Sequence, residues 1–146
     1  MHLNLKPSVI AATAVLAVSM TAAGAAPVTF TADLNGAAAV PPTDSTGTGK
    51  LEATYDNATG LFTWNVTYQG LSGDVTGAQF HGPAAAGESA PVVLPVQQRL
   101  RNPIAGNASL SNTQLDQLRA GQWYFNIVTA KFRNGEIRGQ VMPAAN

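Results

Sequence analysis

The sequence predicts an all-β domain, an antiparallel sandwich of about seven or eight strands with one short helix near 111–120. Two observations carry this. Apolar and polar residues alternate in short runs, as in Val28–Leu34, Leu61–Tyr68 and Trp123–Val128, so each run has one face to bury. Clusters of Gly, Pro, Asn, Asp and Ser cut the chain between those runs, leaving no room for the long helices that parallel crossovers need.

The first strand is Val28–Leu34, with Val28, Phe30, Ala32 and Leu34 set against Thr29, Thr31 and Asp33. Asn35–Thr48 follows as a loop along an edge, because Pro41-Pro42 removes two ladder donors. Gly49–Tyr55 and Leu61–Tyr68, joined through Asp56–Gly60, read as a long antiparallel hairpin with Phe62, Trp64, Val66 and Tyr68 on one face. Val75–Gly82 is a fourth strand, its faces Val75, Gly77, Gln79, His81 and Thr76, Ala78, Phe80. Gly82–Ala90 is small and flexible in composition, Pro91–Val96 a short strand between prolines, and Gln97–Asn107 a solvated loop holding Arg99 and Arg101. Ser111-Asn112-Thr113-Gln114 has the spacing of a capping box, in which serine and glutamine side chains satisfy the free N–H groups of a first turn. Leu115 and Leu118 give that helix one apolar face, and Gly121 suits its left-handed stop. Finally, Gly121–Met142 reads as a hairpin closed by a tight Asn134-Gly135 turn, with Trp123, Phe125 and Ile127 on one side and Tyr124, Asn126 and Val128 on the other.

Composition narrows the function classes. A chain of 146 residues, 45% hydrophobic and 11% charged, builds one core of ordinary size. Eight basic residues balance eight acidic ones, which argues against nucleic acid and against an anionic membrane surface as partners. The N-terminus reads as a secretory leader: Lys6, an apolar run from Val9 to about Met20, then Ala22-Ala23-Gly24-Ala25-Ala26. That run is shorter than the roughly 20 apolar residues a bilayer span requires. Ala23-Gly24-Ala25 is the small-x-small cleavage site, so residues 1–25 are the expected leader and 26–146 the expected domain, periplasmic or secreted and free of the membrane once processed.

Candidate chemistry is sparse. The absence of cysteine removes disulfides, thiolate metal sites and cysteine nucleophiles. His81 is the one histidine beyond the leader, and a lone imidazole does not make a zinc or copper site. Its simplest role is a strand-end residue hydrogen-bonded near Gly82-Pro83. No Gly-x-Ser-x-Gly elbow frames a serine, and the carboxylates are scattered without a pair suited to acid–base work. Glu136 and Arg138, two apart on one strand face, are expected to pin each other or a cross-strand neighbour, with ligand binding as the competing role. The aromatic side chains at strand spacing are expected in the core rather than on a sugar-binding platform.

An ordered set of segments resembles the CHRD (chordin) domain. It runs Phe30-x-Ala32-x-Leu34-x-Gly36, Val40-Pro41-Pro42, Gly70-Leu71-x-Gly73, Ala78-Gln79-Phe80-His81-Gly82-Pro83-Ala84, Leu118-x-Ala120-Gly121-x-x-Tyr124-x-Asn126-Ile127 and Gly135-Glu136-Ile137-Arg138-Gly139-Gln140-Val141. The resemblance implies an extracellular β-sandwich-like module, immunoglobulin-like or superoxide-dismutase-like in plan, of a kind widespread in secreted bacterial proteins. Many members carry a histidine cluster reminiscent of copper-zinc superoxide dismutase. Here Gln79 and Val128 stand at two of its positions, leaving His81 alone. The expectation is therefore a non-catalytic binding or adhesion module without cofactor, whose partner is an extracellular protein or matrix ligand. Gln79, His81, Asn126, Glu136 and Arg138 are its candidate ligand and motif residues. The alternatives are a copper-binding or redox protein around His81, and a self-associating matrix protein pairing through open strand edges.

Overall fold

The computed structural model describes residues 25–97 and 99–145, so the leader and its apolar run fall almost wholly outside the described residues. The chain first forms a meander of β1 (Val28–Asn35), β2 (Thr48–Asp56) and β3 (Leu61–Gln69). In register, Phe30 faces Ala53 and Ala53 faces Trp64, so one apolar row crosses all three strands. The β2–β3 turn is closed as its residues dictate: Asp56 Oδ1 accepts the Ala58 N–H at 2.7 Å, and the Gly60 N–H reaches Asp56 O at 2.8 Å. Then come β4 (Val75–His81), β5 (Val92–Pro95), β6 (Ile104–Ser109), α1 (Asn112–Arg119), β7 (Trp123–Thr129) and β8 (Ile137–Pro143).

All eight strands belong to one antiparallel sheet in the order β5-β4-β7-β8-β1-β2-β3-β6. The sheet curls until its halves face each other as two layers. Although β3 and β4 stand far apart in that order, Phe80 of β4 meets Phe62 of β3 with ring centroids 5.5 Å apart and Trp64 at 5.2 Å, both edge-to-face. Phe30, Phe62, Phe80, Trp123 and Phe125 have no solvent contact and fill the concave side. Each such side chain contributes about 1.5–3 kcal/mol by leaving water. The all-β prediction with one short helix holds, and the two layers are continuous in hydrogen bonding.

The helix follows its sequence signals. Ser111 Oγ accepts from the Gln114 N–H at 3.2 Å and Gln114 Oε1 accepts from the Ser111 N–H at 2.9 Å, completing the capping box. Leu115 and Leu118 are buried, the Trp123 indole N–H donates to Gln117 Oε1 at 3.1 Å, and Gly121 takes a φ of 71° just past the end.

Three expectations need correction. Gln97–Asn107 is not all loop, because β6 begins at Ile104 and pairs with β3 over six residues. Gly106 lies against the Trp64 indole, where a Cβ would overlap the ring, so β6 is built of small residues and carries almost no alternation. The β1–β2 connection does not run along an edge: β1 is an interior strand, and the loop lies over the start of β8, with Thr43 Oγ1 donating to Glu136 O at 2.8 Å. The β7–β8 hairpin is not closed by a tight Asn-Gly turn either. Pairing of β7 with β8 ends at Ile127 with Ile137, β7 runs on beside β4 to Thr129, and the chain loops through residues 130–136, held by the Glu136 N–H on Ile127 O at 2.8 Å. Of Asn134 and Gly135 only Gly135 has positive φ, at 121°, whereas the two-residue turn requires it at both.

Candidate functional site

The inner faces of β4, β7 and β8 are apolar, but their outer faces are neither apolar nor solvated. Gln79 and His81 on β4, Tyr124 and Asn126 on β7, and Arg138 and Gln140 on β8 share that outer surface by alternation, and loop segments cover it. Cross-strand register sets Gln79 opposite Asn126, His81 opposite Tyr124, Asn126 opposite Arg138, and Tyr124 opposite Gln140. Four of the five residues singled out in the sequence, Gln79, His81, Asn126 and Arg138, thus fall on one contiguous polar face.

Segment 82–90, expected to be flexible, is strapped onto this face. Gln140 Nε2 donates to Ala84 O at 2.7 Å and to Gly121 O at 2.8 Å, the Ala84 N–H reaches Gln122 O at 2.8 Å, and Arg138 Nη2 donates to Ala85 O at 3.3 Å. Farther along, the Tyr124 hydroxyl accepts the Ala90 N–H at 3.1 Å and lies 3.2 Å from Ala90 O. His81 Nδ1 is 2.9 Å from the same carbonyl, which fixes the proton on Nδ1 and leaves Nε2 as a buried acceptor without a partner among the described residues. The simple reading of His81, hydrogen-bonded near the Gly82-Pro83 bend, describes its Nδ1 side.

Tyr124 organises the charged part of the site. The His81 ring stacks on it at 4.8 Å between centroids with planes 3° apart, and the Arg138 guanidinium carbon lies 3.4 Å from the Tyr124 centroid. His81 and Arg138 come from the strands on either side of β7. Burial lowers the His81 pKa from its ordinary value, the Ala90 carbonyl opposes this, and the Arg138 charge adds to the lowering. His81 is therefore neutral near pH 7. Burial also draws the Arg138 pKa down while Tyr124 acts against it, yet a guanidinium keeps its charge.

Of the roles expected for Glu136 and Arg138, pinning each other is not the one formed: they make no ion pair within 4.0 Å. Glu136 has 0% exposure and turns toward the β1–β2 and β3–β4 connections, where its Oε1 accepts from Ser72 N at 2.9 Å and from Ser45 Oγ at 3.1 Å. Burial pushes its pKa up. The hydroxyl and N–H of Ser72 and the hydroxyls of Ser45 and Thr129 outweigh that and hold it below the ordinary carboxylate value. Arg138, 3% exposed, has no carboxylate among the described residues within 4.0 Å. Its one protein hydrogen bond is to Ala85 O.

A cavity of about 280 Å³ opens beside it, lined by Val40, His81, Ser89, Ala90, Tyr124, Asn126, Asn134 and Arg138. Asn126 fixes one wall by donating from Nδ2 to Asn134 O at 3.2 Å, and Gly135 lets that contact form because a Cβ there would overlap the Asn126 amide. Sequence reasoning missed Tyr124, Asn134 and the loop wall. Tyr124 shares alternation parity with Asn126, and that was the available signal; the loop residues had none.

The residues at the positions of the histidine cluster that the resemblance implied do not make a copper donor set. Among the described residues His81 supplies the one imidazole, Gln79 lies across from Asn126, Val128 lies across from Gly77, and the Arg138 charge opposes a cation. Among the described residues no three His, Cys, Asp or Glu side chains converge, and no helix is long and apolar enough to cross a membrane.

The family model of the CHRD domain matches residues 30–141, from within β1 to within β8, and takes in β2 to β7 and α1 whole. No curated protein and no solved structure matches the chain.

Proposed function

The chain belongs to the CHRD-domain family, and from that premise we propose that it is a non-catalytic binding module acting in the periplasm or outside the cell. The ligand-binding surface is the cavity on the outer face of β4-β7-β8, and the partner is an extracellular protein or matrix component that inserts a group there. One observation carries the reading: Arg138 is a nearly fully buried cation, stacked on Tyr124 and facing a cavity, with no carboxylate of the described chain to neutralise it. Burying an unpaired charge is costly, so a chain that keeps one beside an open cavity gains by having it meet something else.

A binding role suits this site better than a catalytic one. His81 Nε2, the nitrogen that could act as a base, is itself buried, and among the described residues no carboxylate lines the cavity. Self-association is the alternative; it is disfavoured at the β5 edge, a four-residue strand that follows Pro91 and ends in Pro95, and would use the other edge, the six-residue β6. A fragment screen by protein NMR tests the reading. Bound fragments are expected to shift Tyr124, His81 and Asn126 signals together, and fragments that bind elsewhere only, or not at all, would contradict it. Copper titration by calorimetry addresses the redox alternative. Stoichiometric binding tighter than micromolar, lost in His81→Ala, would favour that alternative over the present reading.

A further inference from the structure

We propose that the cavity beside Arg138 is a carboxylate site, taking a small singly charged acid or one acidic sugar ring, with Arg138 as its anchor. This rests on the reading of that cavity as the binding surface and adds the ligand's chemical class. A guanidinium offers five donors in a planar fork matched to two carboxylate oxygens, and the protein uses Nη2 on the Ala85 carbonyl. Arg138 lines both the cavity of about 280 Å³ and the neighbouring one of about 510 Å³, and Tyr124 covers one face of its guanidinium. Asp33, the carboxylate residue lining the larger cavity, is itself exposed and forms no ion pair with Arg138 within 4.0 Å.

Charge matching selects a monoanion. Arg138 is the cationic side chain of both cavities; the other polar groups lining the smaller one are the Asn126 and Asn134 amides, the Tyr124 phenol, Ser89 and an imidazole held neutral by burial and by Arg138. A doubly charged phosphate would bring one charge into this enclosure without a partner, whereas a carboxylate is balanced by one guanidinium. The Tyr124 ring holds the fork flat from one side, leaving its edge for in-plane recognition. A volume near 280 Å³ admits a small acid or one ring and excludes a folded epitope.

The test titrates the purified protein, at pH 7 and constant ionic strength, with acetate, glucuronate, glucose, phosphate and sulfate, following the Arg138 Nε–Hε and Tyr124 signals by NMR. Saturable shifts are expected with acetate and glucuronate. Glucuronate should bind at least tenfold tighter than glucose and than either inorganic anion, and Arg138→Gln should weaken it at least tenfold. Equal binding of glucose and glucuronate would overturn the carboxylate assignment while leaving the cavity as a binding site. Preference for phosphate or sulfate would overturn it in favour of a dianion. No shift at these residues with any of the five compounds, or with the fragment screen, would remove both the assignment and the reading it rests on. The wild-type comparisons decide the outcome even if Arg138→Gln fails to fold.

Discussion

Glu136 and Arg138 stand two residues apart at the start of β8, and both are almost excluded from solvent, at 0% and 3% exposure. The fold treats them oppositely. Glu136 is gripped by Ser45 and Ser72, which come from two connections far away in the chain, so its charge ties those connections to the start of β8. Arg138 has one carbonyl and one aromatic face, with open volume beside it. Burial alone does not distinguish a structural charge from a functional one. Neither has an oppositely charged partner within 4.0 Å among the described residues; the distinction lies in the hydrogen bonds the chain brings to each charge, two on Glu136 Oε1, with Oε2 left without a partner, against one from the Arg138 side chain.

The largest effect that can break this comparison is expected at Glu136. Glu136→Ala should cost about 3–5 kcal/mol in urea unfolding, because it strands the Ser72 N–H and the Ser45 hydroxyl and leaves a void. A loss below about 1 kcal/mol would mean that the carboxylate does not hold the connections.

Gly135→Ala comes next. A φ of 121° and the Asn126 amide in the path of any Cβ predict a loss of about 1–3 kcal/mol, together with altered Tyr124 and Asn126 signals as the cavity wall shifts. Asn134→Ala should stay within about 0.5 kcal/mol, as a surface change away from such features. If the two variants were equally destabilised, a tight two-residue turn would be the better description of this loop.

Acid should separate the two buried groups that titrate. The folded pKa of His81 is below the unfolded value, so the unfolded chain takes up the proton first and stability declines as pH falls from about 6.5 toward the folded value. The folded pKa of Glu136 is also lowered, so its contribution is present above about pH 4.5 and is lost as pH falls through the folded value. Unfolding measured from pH 8 to pH 3 should show both phases, and His81→Gln should remove the upper one alone. An unchanged upper phase in that variant would place the titrating group elsewhere.

Much of this was legible in the residues. Strict alternation in β1, β2, β3 and β7, the Ser111–Gln114 box and the ordered CHRD segments placed the strands, the helix and the family. Strand β6 was hidden because the Trp64 ring demands a glycine opposite it, which erases the alternating pattern. The site was half legible. Alternation alone puts Gln79, His81, Asn126 and Arg138 on faces that adjacent strands share once the strand order is known. Same-face spacing left open whether Glu136 and Arg138 meet each other, a cross-strand neighbour or a ligand, because it says nothing about which loop arrives above each side chain. Ser45 and Ser72 reach Glu136 from sequence separations of 91 and 64 residues, which no local pattern records.

A near-neutral change at Arg138 is the most direct test. Arg138→Gln removes the guanidinium stack on Tyr124 and one hydrogen bond, but it also removes a buried charge that the described chain leaves unpaired. Urea unfolding of the ligand-free variant, run beside Glu136→Ala, should place it within about 1 kcal/mol of the wild type. A loss as large as that of Glu136→Ala would make Arg138 a structural residue and contradict the assignment of the cavity beside it to binding.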